Sequence, residues 1–445
     1  MHVKYLFDHK MEYAIYCYGA GDRFRVLHTL LSSIFEIQGV IDAEENKWGK
    51  IWDDKIVCKS INELRNVKNP VVIVTVDSHG AYDEIELRLK QIGITTVFHV
   101  GEIIKEYRLR NNSLLFNNME SQYNCADECI TQEIKVIDKS DITFVVSGKL
   151  IYDNGIPADR SIKSIRQFFP ESKLILSTWL GEDTDPVWQY CDEIVLNHEP
   201  ESKFNIFISG HTPQKLNNVN KQQFAMSEGM KKVKTKYAVR FRTDFELMND
   251  SFLDFYVTWN NICCKREKKY HTFDGKILSV NTFIQNPDVY ANGHSYMLSD
   301  CFLFGKTTDM MELWDGYQVS DEIMNYFDKN PNTAYENYED FNYKYIAEQI
   351  FLLHVIEKKH INLKIPAYYG DSSDEKIIED YERFIASNIV IGNHDELGIH
   401  SRFDDLYDYI FYTHTDSIFF YLKYIDNNSS QCRKYLENYL GKYEI

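Results

Sequence analysis

Proline and glycine are scarce, at 9 and 20 of 445 residues. That excludes a collagenous or low-complexity chain and leaves little room for long disordered linkers. Long apolar runs are missing too. No stretch approaches the roughly 20 residues of a membrane span, and the opening "MHVKYLFDHKMEYAIYCYGAG" lacks the apolar centre of a signal peptide. A cytoplasmic protein is expected, with at most peripheral contact at a membrane. Positive charge is in deficit: the formal net charge is −18, so neither nucleic acid nor an anionic membrane is an expected partner. The cysteines number nine, an odd count without framework spacing, which fits free thiols in a reducing compartment. Cys125 and Cys129 stand one helical turn apart, but nothing else completes a zinc set. No repeat of solenoid length is present.

What is present suffices for a sizeable core, with 44% hydrophobic and 14% aromatic residues, and the length favours at least two domains. From Tyr13 to about Glu106 strand and helix alternate. "YAIYCYGAG", "IQGVIDAEEN", "PVVIVTVDS" and "TTVFHV" read as strands, and "RFRVLHTLLSSI" and "AYDEIELRLKQIG" as helices. This is a parallel α/β, Rossmann-like pattern, placed at residues 1–107. Residues 108–138 are asparagine-rich at first and lose periodicity, so they read as a linker. A second α/β series fills 139–445, with strands at "DITFVVSG", "KLILSTW", "DEIVLN", "YAVRF", "KILSVNTF" and "CFLFG". Helices lie between them, one of them at "NYKYIAEQIFLLHVIEK", and close the chain.

Two strand ends carry chemistry. In "GAGDRF", Gly19 permits a tight turn, Gly21 would let backbone amides approach a pyrophosphate, and Asp42 ends the next strand where a ribose-binding acid belongs. The third glycine of such a turn is Phe24 here. The turn therefore reads either as a site for a nucleotide, a nucleotide sugar or NAD(P), or as architecture alone. The strand "YAVRF" ends in Arg242, Thr243, Asp244 and Glu246. Hard cations prefer carboxylate oxygens and bridge them to diphosphates, which makes Asp244 the leading ligand for Mn2+ or Mg2+. Arg242 would counter phosphate charge or orient the carboxylate, and Thr243 would face a ribose or fold back on its loop. The plain alternative is a surface ion pair.

The segments "SIKSIRQFFPESKLILSTWLGED" (161–183), "NNVNKQQFAMSEGM" (217–230), "KYAVRFRTDFEL" (236–247), "MLSDCFLFGKTTDMMELW" (297–314), "AEQIFL" (347–352) and "ELGIHSRF" (396–403) occur in that order. Their combination resembles the WavE family of bacterial lipopolysaccharide and capsule synthesis proteins, over roughly residues 140–405. The resemblance implies a GT-A type glycosyltransferase that takes a nucleotide-sugar donor and an oligosaccharide or lipid-linked glycan acceptor. Its middle block falls on Asn217, Asn218, Asn220, Lys221 and Gln222, whose amides can read sugar hydroxyls or a base edge while the lysine meets phosphate. A helix cap would need only one of those asparagines. Where the family carries an aromatic after "SD", this chain has Cys301. Near the C-terminus His394 could complete the metal or diphosphate site, as GT-A enzymes often do, or sit in an exposed loop. Trp179 and Trp188 could stack on a base or belong to the core.

A transfer that inverts the anomeric carbon needs a carboxylate base, and the candidates are Asp300, before "CFLFG", and Glu348, on a helix. The rival readings are a nucleotide-binding scaffold subunit of a polysaccharide assembly complex, and an N-terminal NAD-dependent oxidoreductase fused to a transferase. Self-association into a homo-oligomer is compatible with each.

Overall fold

The computed structural model describes residues 2–52, 56–76, 79–118, 128–153, 155–200, 205–206, 215–216, 218–287, 289, 294–330, 343–359, 361–371, 374–401 and 410–441. The chain divides into two compact units: one comprises Met1–Met119, Gln285–Gly293 and Asp405–Phe411, and the other Glu120–Ile284, His294–Asp404 and Tyr412–Ile445.

In the first unit β1 (Ala14–Tyr18), β2 (Ile37–Ile41), β3 (Ile51–Trp52), β4 (Ile56–Lys59), β5 (Pro70–Val74) and β6 (Val97–His99) form one sheet in the order β3-β4-β2-β1-β5-β6. All neighbours pair in parallel except β3 with β4. The central strands are covered on both faces, so β1 and β5 read as continuous apolar runs rather than as alternation. Tyr16, Ile41, Val72, Val74, Leu89 and Ile94 form much of the core. The four strands expected from the sequence are present. β3 and β4 were not anticipated, being too short for a period to register.

The expected linker starts too early. A helix runs unbroken over Val100–Asn118. Its Arg110 donates to Asp8 at 2.8 Å, to Glu106 at 2.6 Å and to the Lys4 carbonyl at 3.1 Å, which ties it to the first helix, Val3–Asp8. Such tertiary ties override the weak helix propensity of asparagine. Residues 119–127, Cys125 among them, lie outside the described residues.

The second unit opens with β7 (Cys129–Thr131), β8 (Ile142–Ser147), β9 (Lys173–Trp179), β10 (Glu193–Asn197), β11 (Asn205–Ile206), β12 (Lys215–Leu216) and β13 (Tyr237–Arg242). It continues through β14 (Phe245–Leu247), β15 (Lys265–Glu267), β16 (Ile277–Val280), β17 (Phe302–Lys306), β18 (Ile389–Gly392) and β19 (Ile399–Ser401). Seven of these build a mixed sheet ordered β10-β9-β8-β13-β17-β16-β18. β10, β9, β8 and β13 run parallel, and β17 is antiparallel to both its neighbours.

On one face Phe144, Phe169, Phe241, Phe252, Phe302 and Phe304 interlock with ring centroids 5.0–6.4 Å apart, under the helices Ala158–Phe168 and Ser251–Ile262. The helix Val219–Met230 covers the other face of β8 and β9. It lies so close that a Cβ on Gly229 would fall 2.5 Å from Val145. β18 was not foreseen, because the helix Glu375–Asn388 passes straight into it with no glycine or proline between. The helix expected from about Asn342 begins at Ala347, so Glu348 lies in its first turn, where the helix dipole favours a negative charge.

Candidate functional site

Four parallel strands ending on one edge leave a crevice at their carboxyl ends, the usual ligand position of an open α/β sheet. A cavity of about 630 Å³ lies there. Ser147, Gly148 and Lys149 after β8, Trp179 to Glu182 after β9, and Arg240, Arg242, Thr243 and Asp244 from β13 line it, with Asn218, Lys221 and Gln222 from the start of the Val219–Met230 helix. Gly148 turns the chain at φ +132°, a conformation that side chains rarely adopt. The hydroxyl of Thr243 donates to the Lys149 carbonyl at 2.8 Å, so Thr243 folds back on its loop and clamps the β8 turn.

Arg242 is the hub of the charged groups. Its Nε and Nη2 donate to the two oxygens of Asp244 at 2.8 and 3.0 Å, and its Nη1 lies 3.6 Å from Asp300 and 3.9 Å from the Cys301 sulfur. Burial alone would lower its pKa, but Cys301, Asp300 and Asp244 raise it well above the usual value. Asp300 is almost fully buried, and its Oδ2 accepts no hydrogen bond. Glu348 is half-buried, with no basic partner within ion-pair distance among the described residues. Burial first, then the charge of Asp300, push its pKa up to about 7. The two carboxylates named as acid–base candidates, 48 positions apart in sequence, thus share one electrostatic neighbourhood with Arg242.

Other expected residues divide. Asn218, Lys221 and Gln222 reach the cavity; Lys221 is ion-paired with Glu199, and the Gln222 Oε1 is buried without a partner. Asn220 turns away to accept from the Val319 amide at 2.8 Å. Asn217 lies outside the described residues. Trp179 lines the cavity, whereas Trp188 is 62% exposed and takes no part in it. Glu246 pairs with Arg160 at 2.8 Å. His394 is buried beside the Thr282 and Ser401 hydroxyls and stacks on Phe245; it is not among the residues lining the cavity.

Arg240 was missed. In "YAVRFR" an arginine stands inside a strand that is buried throughout except at its last residue. A charge in such a place is the signal that sequence could have offered.

In the first unit, Gly19 has φ +105°, and its amide donates to the Ile41 carbonyl at 2.8 Å. Asp42 accepts from the Ala20 amide at 2.7 Å and from Lys47 at 3.2 Å on one oxygen, and from the Glu44 amide at 2.9 Å on the other. The carboxylate expected to hold a ribose is therefore part of the turn's own closure. Phe24, where a third glycine would allow close helix packing, is fully buried core. Gly21 has open space where a Cβ would go.

The divalent cation expected at Asp244 does not fit the donor set present. Both oxygens of that carboxylate accept from Arg242, His394 is absent from the cavity lining, and no group of three or more His, Cys, Asp or Glu among the described residues is placed to hold a metal. No helix of the described residues is long and apolar enough to cross a membrane. The family model for WavE lipopolysaccharide synthesis matches residues 142–443, which span the cavity and the acid pair. No curated protein matches the chain.

Proposed function

We propose that this chain, which belongs to the WavE lipopolysaccharide synthesis family, is a glycosyltransferase that moves a sugar from a nucleotide donor onto a growing surface glycan. The observation that carries the reading is the grouping of Asp300 and Glu348 around Arg242, which lines a cavity formed by parallel strand ends; the two carboxylates are not themselves among its lining residues. The donor occupies the cavity, with Trp179 available to a base or sugar face and Gln222 to a hydroxyl or base edge.

A base with a pKa near neutrality is matched to deprotonating a hydroxyl at physiological pH. Glu348 takes the proton of the acceptor hydroxyl as the acceptor oxygen forms its bond to the anomeric carbon. The bond from that carbon to the diphosphate breaks, and its electron pair leaves on the phosphate oxygen. Asp300 holds Arg242 in place and keeps the Glu348 pKa raised. The acceptor is an oligosaccharide or lipid-linked glycan.

The test begins with a thermal-shift screen of nucleotide sugars on the full chain, since a ligand bound only to the folded state raises its melting temperature. With a donor in hand, Glu348→Gln should lower kcat by about 100-fold or more, and the rise in rate with pH through about 7 should vanish. Full turnover in both Glu348→Gln and Asp300→Asn would remove the acid pair from the chemistry.

A further inference from the structure

Four cations line the cavity, and they are not equally compensated. Lys221 pairs with Glu199, and Arg242 with Asp244. Lys149, at the exposed rim, has no carboxylate within ion-pair distance among the described residues. Arg240 is the unusual one. It is only 2% exposed, yet no carboxylate among the described residues pairs with it. Its Nη1 donates to the Ser147 hydroxyl at 2.8 Å and to the carbonyls of Phe241 and Ser147 at 3.0 and 3.3 Å, while its Nε is buried with no hydrogen bond. The guanidinium sits over the Trp314 ring, 5.5 Å from its centroid.

Burial pulls the Arg240 pKa down to about 10, so the group is still charged at neutral pH. A buried, unpaired charge is costly. Its persistence on the wall of a cavity is explained if the counter-ion arrives with the ligand. The same wall carries the first turn of the twelve-residue helix Val219–Met230, whose cap residue Asn218 makes no side-chain hydrogen bond to the turn. The dipole of that helix start favours an anion.

We propose that Arg240, with Arg242 and that helix start, is the counter-charge for the donor's diphosphate, with no divalent cation between protein and phosphate. The proposal rests on the nucleotide-donor reading for the identity of the ligand. Arg240 is the buried point charge that accepts phosphate on binding and stabilises the leaving diphosphate as the glycosidic electron pair settles on it. Asp244 then acts as a placeholder anion on Arg242. It holds the guanidinium in position, where a metal site would need it as a ligand.

The two roles of Asp244 separate experimentally. Inorganic pyrophosphate and a panel of nucleoside diphosphates are titrated calorimetrically into the full chain in excess EDTA. Pyrophosphate should bind without metal, and Arg240→Gln should weaken it by about 30-fold or more, as expected for one lost buried charge contact. Arg240→Lys, which keeps the charge, should recover part of that loss and serves if the glutamine variant does not fold. Asp244→Asn should still bind pyrophosphate in excess EDTA, whereas loss of a metal ligand would abolish that binding. Binding that appears only with manganese or magnesium and disappears in Asp244→Asn would overturn the proposal, and so would unchanged affinity in Arg240→Gln. Should pyrophosphate bind as expected while no nucleoside diphosphate binds more tightly, the anion site stands and the nucleotide-donor reading falls.

Discussion

Each unit has a strand that ends in a turn carrying a carboxylate, and the two turns resolve their charge differently. At the first, Asp42 closes on Ala20, Glu44 and Lys47. At the second, Arg242 is shared among Asp244, Asp300 and Cys301, Oδ2 of Asp300 is left without a hydrogen bond, and Arg240 two residues earlier has no carboxylate within ion-pair distance among the described residues. The sequence marks both as ligand turns, the first by glycine spacing and a following acid, the second by Arg242, Thr243 and Asp244 at a strand end. The difference is whether the fold itself satisfies the polar groups. Where it does, the residues explain themselves as architecture; where buried charge is left over, a ligand is the economical explanation.

The comparison breaks most readily at Arg242. Arg242→Gln leaves Asp244, Asp300 and Glu348 without their common cation, and transfer should fall by about 10²–10³-fold, as when one transition-state donor is lost. Because Arg242 lowers the Glu348 pKa, the pH–rate profile should also move to higher pH. A variant with near wild-type kcat and an unmoved profile would put the second turn in the same class as the first.

Asp42→Ala addresses the other side. It strips a partner from the buried Ala20 amide and should cost about 1–3 kcal/mol of stability by chemical denaturation. Transfer per folded molecule should not change. A fall in donor affinity with stability intact would show that the first turn binds ligand after all.

Protonation of Glu348 gives a smaller, signed effect. Its folded pKa is raised from 4.5 to about 7, so the folded state binds the proton more tightly than the unfolded chain. Its favourable contribution is complete below about pH 4.5 and is lost as pH rises to about 7. Glu348→Gln should accordingly raise the melting temperature relative to wild type at pH 8, and make little difference at pH 4.5. Equal effects at both pH values would mean that Glu348 titrates normally.

The smallest effect is at Gly21, the cap of the helix Asp22–Ile34, with open space for a Cβ. Gly21→Ser should stabilise the chain by a few tenths of a kcal/mol. Calorimetry with nucleotides would sharpen the comparison, because a phosphate-cradling turn would lose affinity on gaining that side chain.

Much of this was legible in the residues. The apolar runs of β1, β5, β8, β9 and β13 and the helices between them follow from period and composition. The ordered motifs from 161 to 403 pointed to the family that matches 142–443. Asp244, Asp300, Glu348 and Arg242 were named from strand ends and from a carboxylate in an apolar helix. Among the elements that escaped were those without a local signal: the short β3 and β4, β18, which follows a helix directly, and the 108–118 part of the long helix, held by Arg110.

Sequence by itself therefore determined where the long apolar strands and the helices between them form, which residues carry charge, and the family, because period, propensity and motif order are properties of neighbours along the chain. Only the tertiary structure decided that Asp300 and Glu348 meet at Arg242, that Asp42 is taken up by its own turn, and that Arg240 is buried with no carboxylate partner among the described residues. Compensation of a buried charge acts through space. In a low-dielectric interior its outcome depends on which groups the packed fold brings within a few ångströms, and no spacing along the chain encodes that.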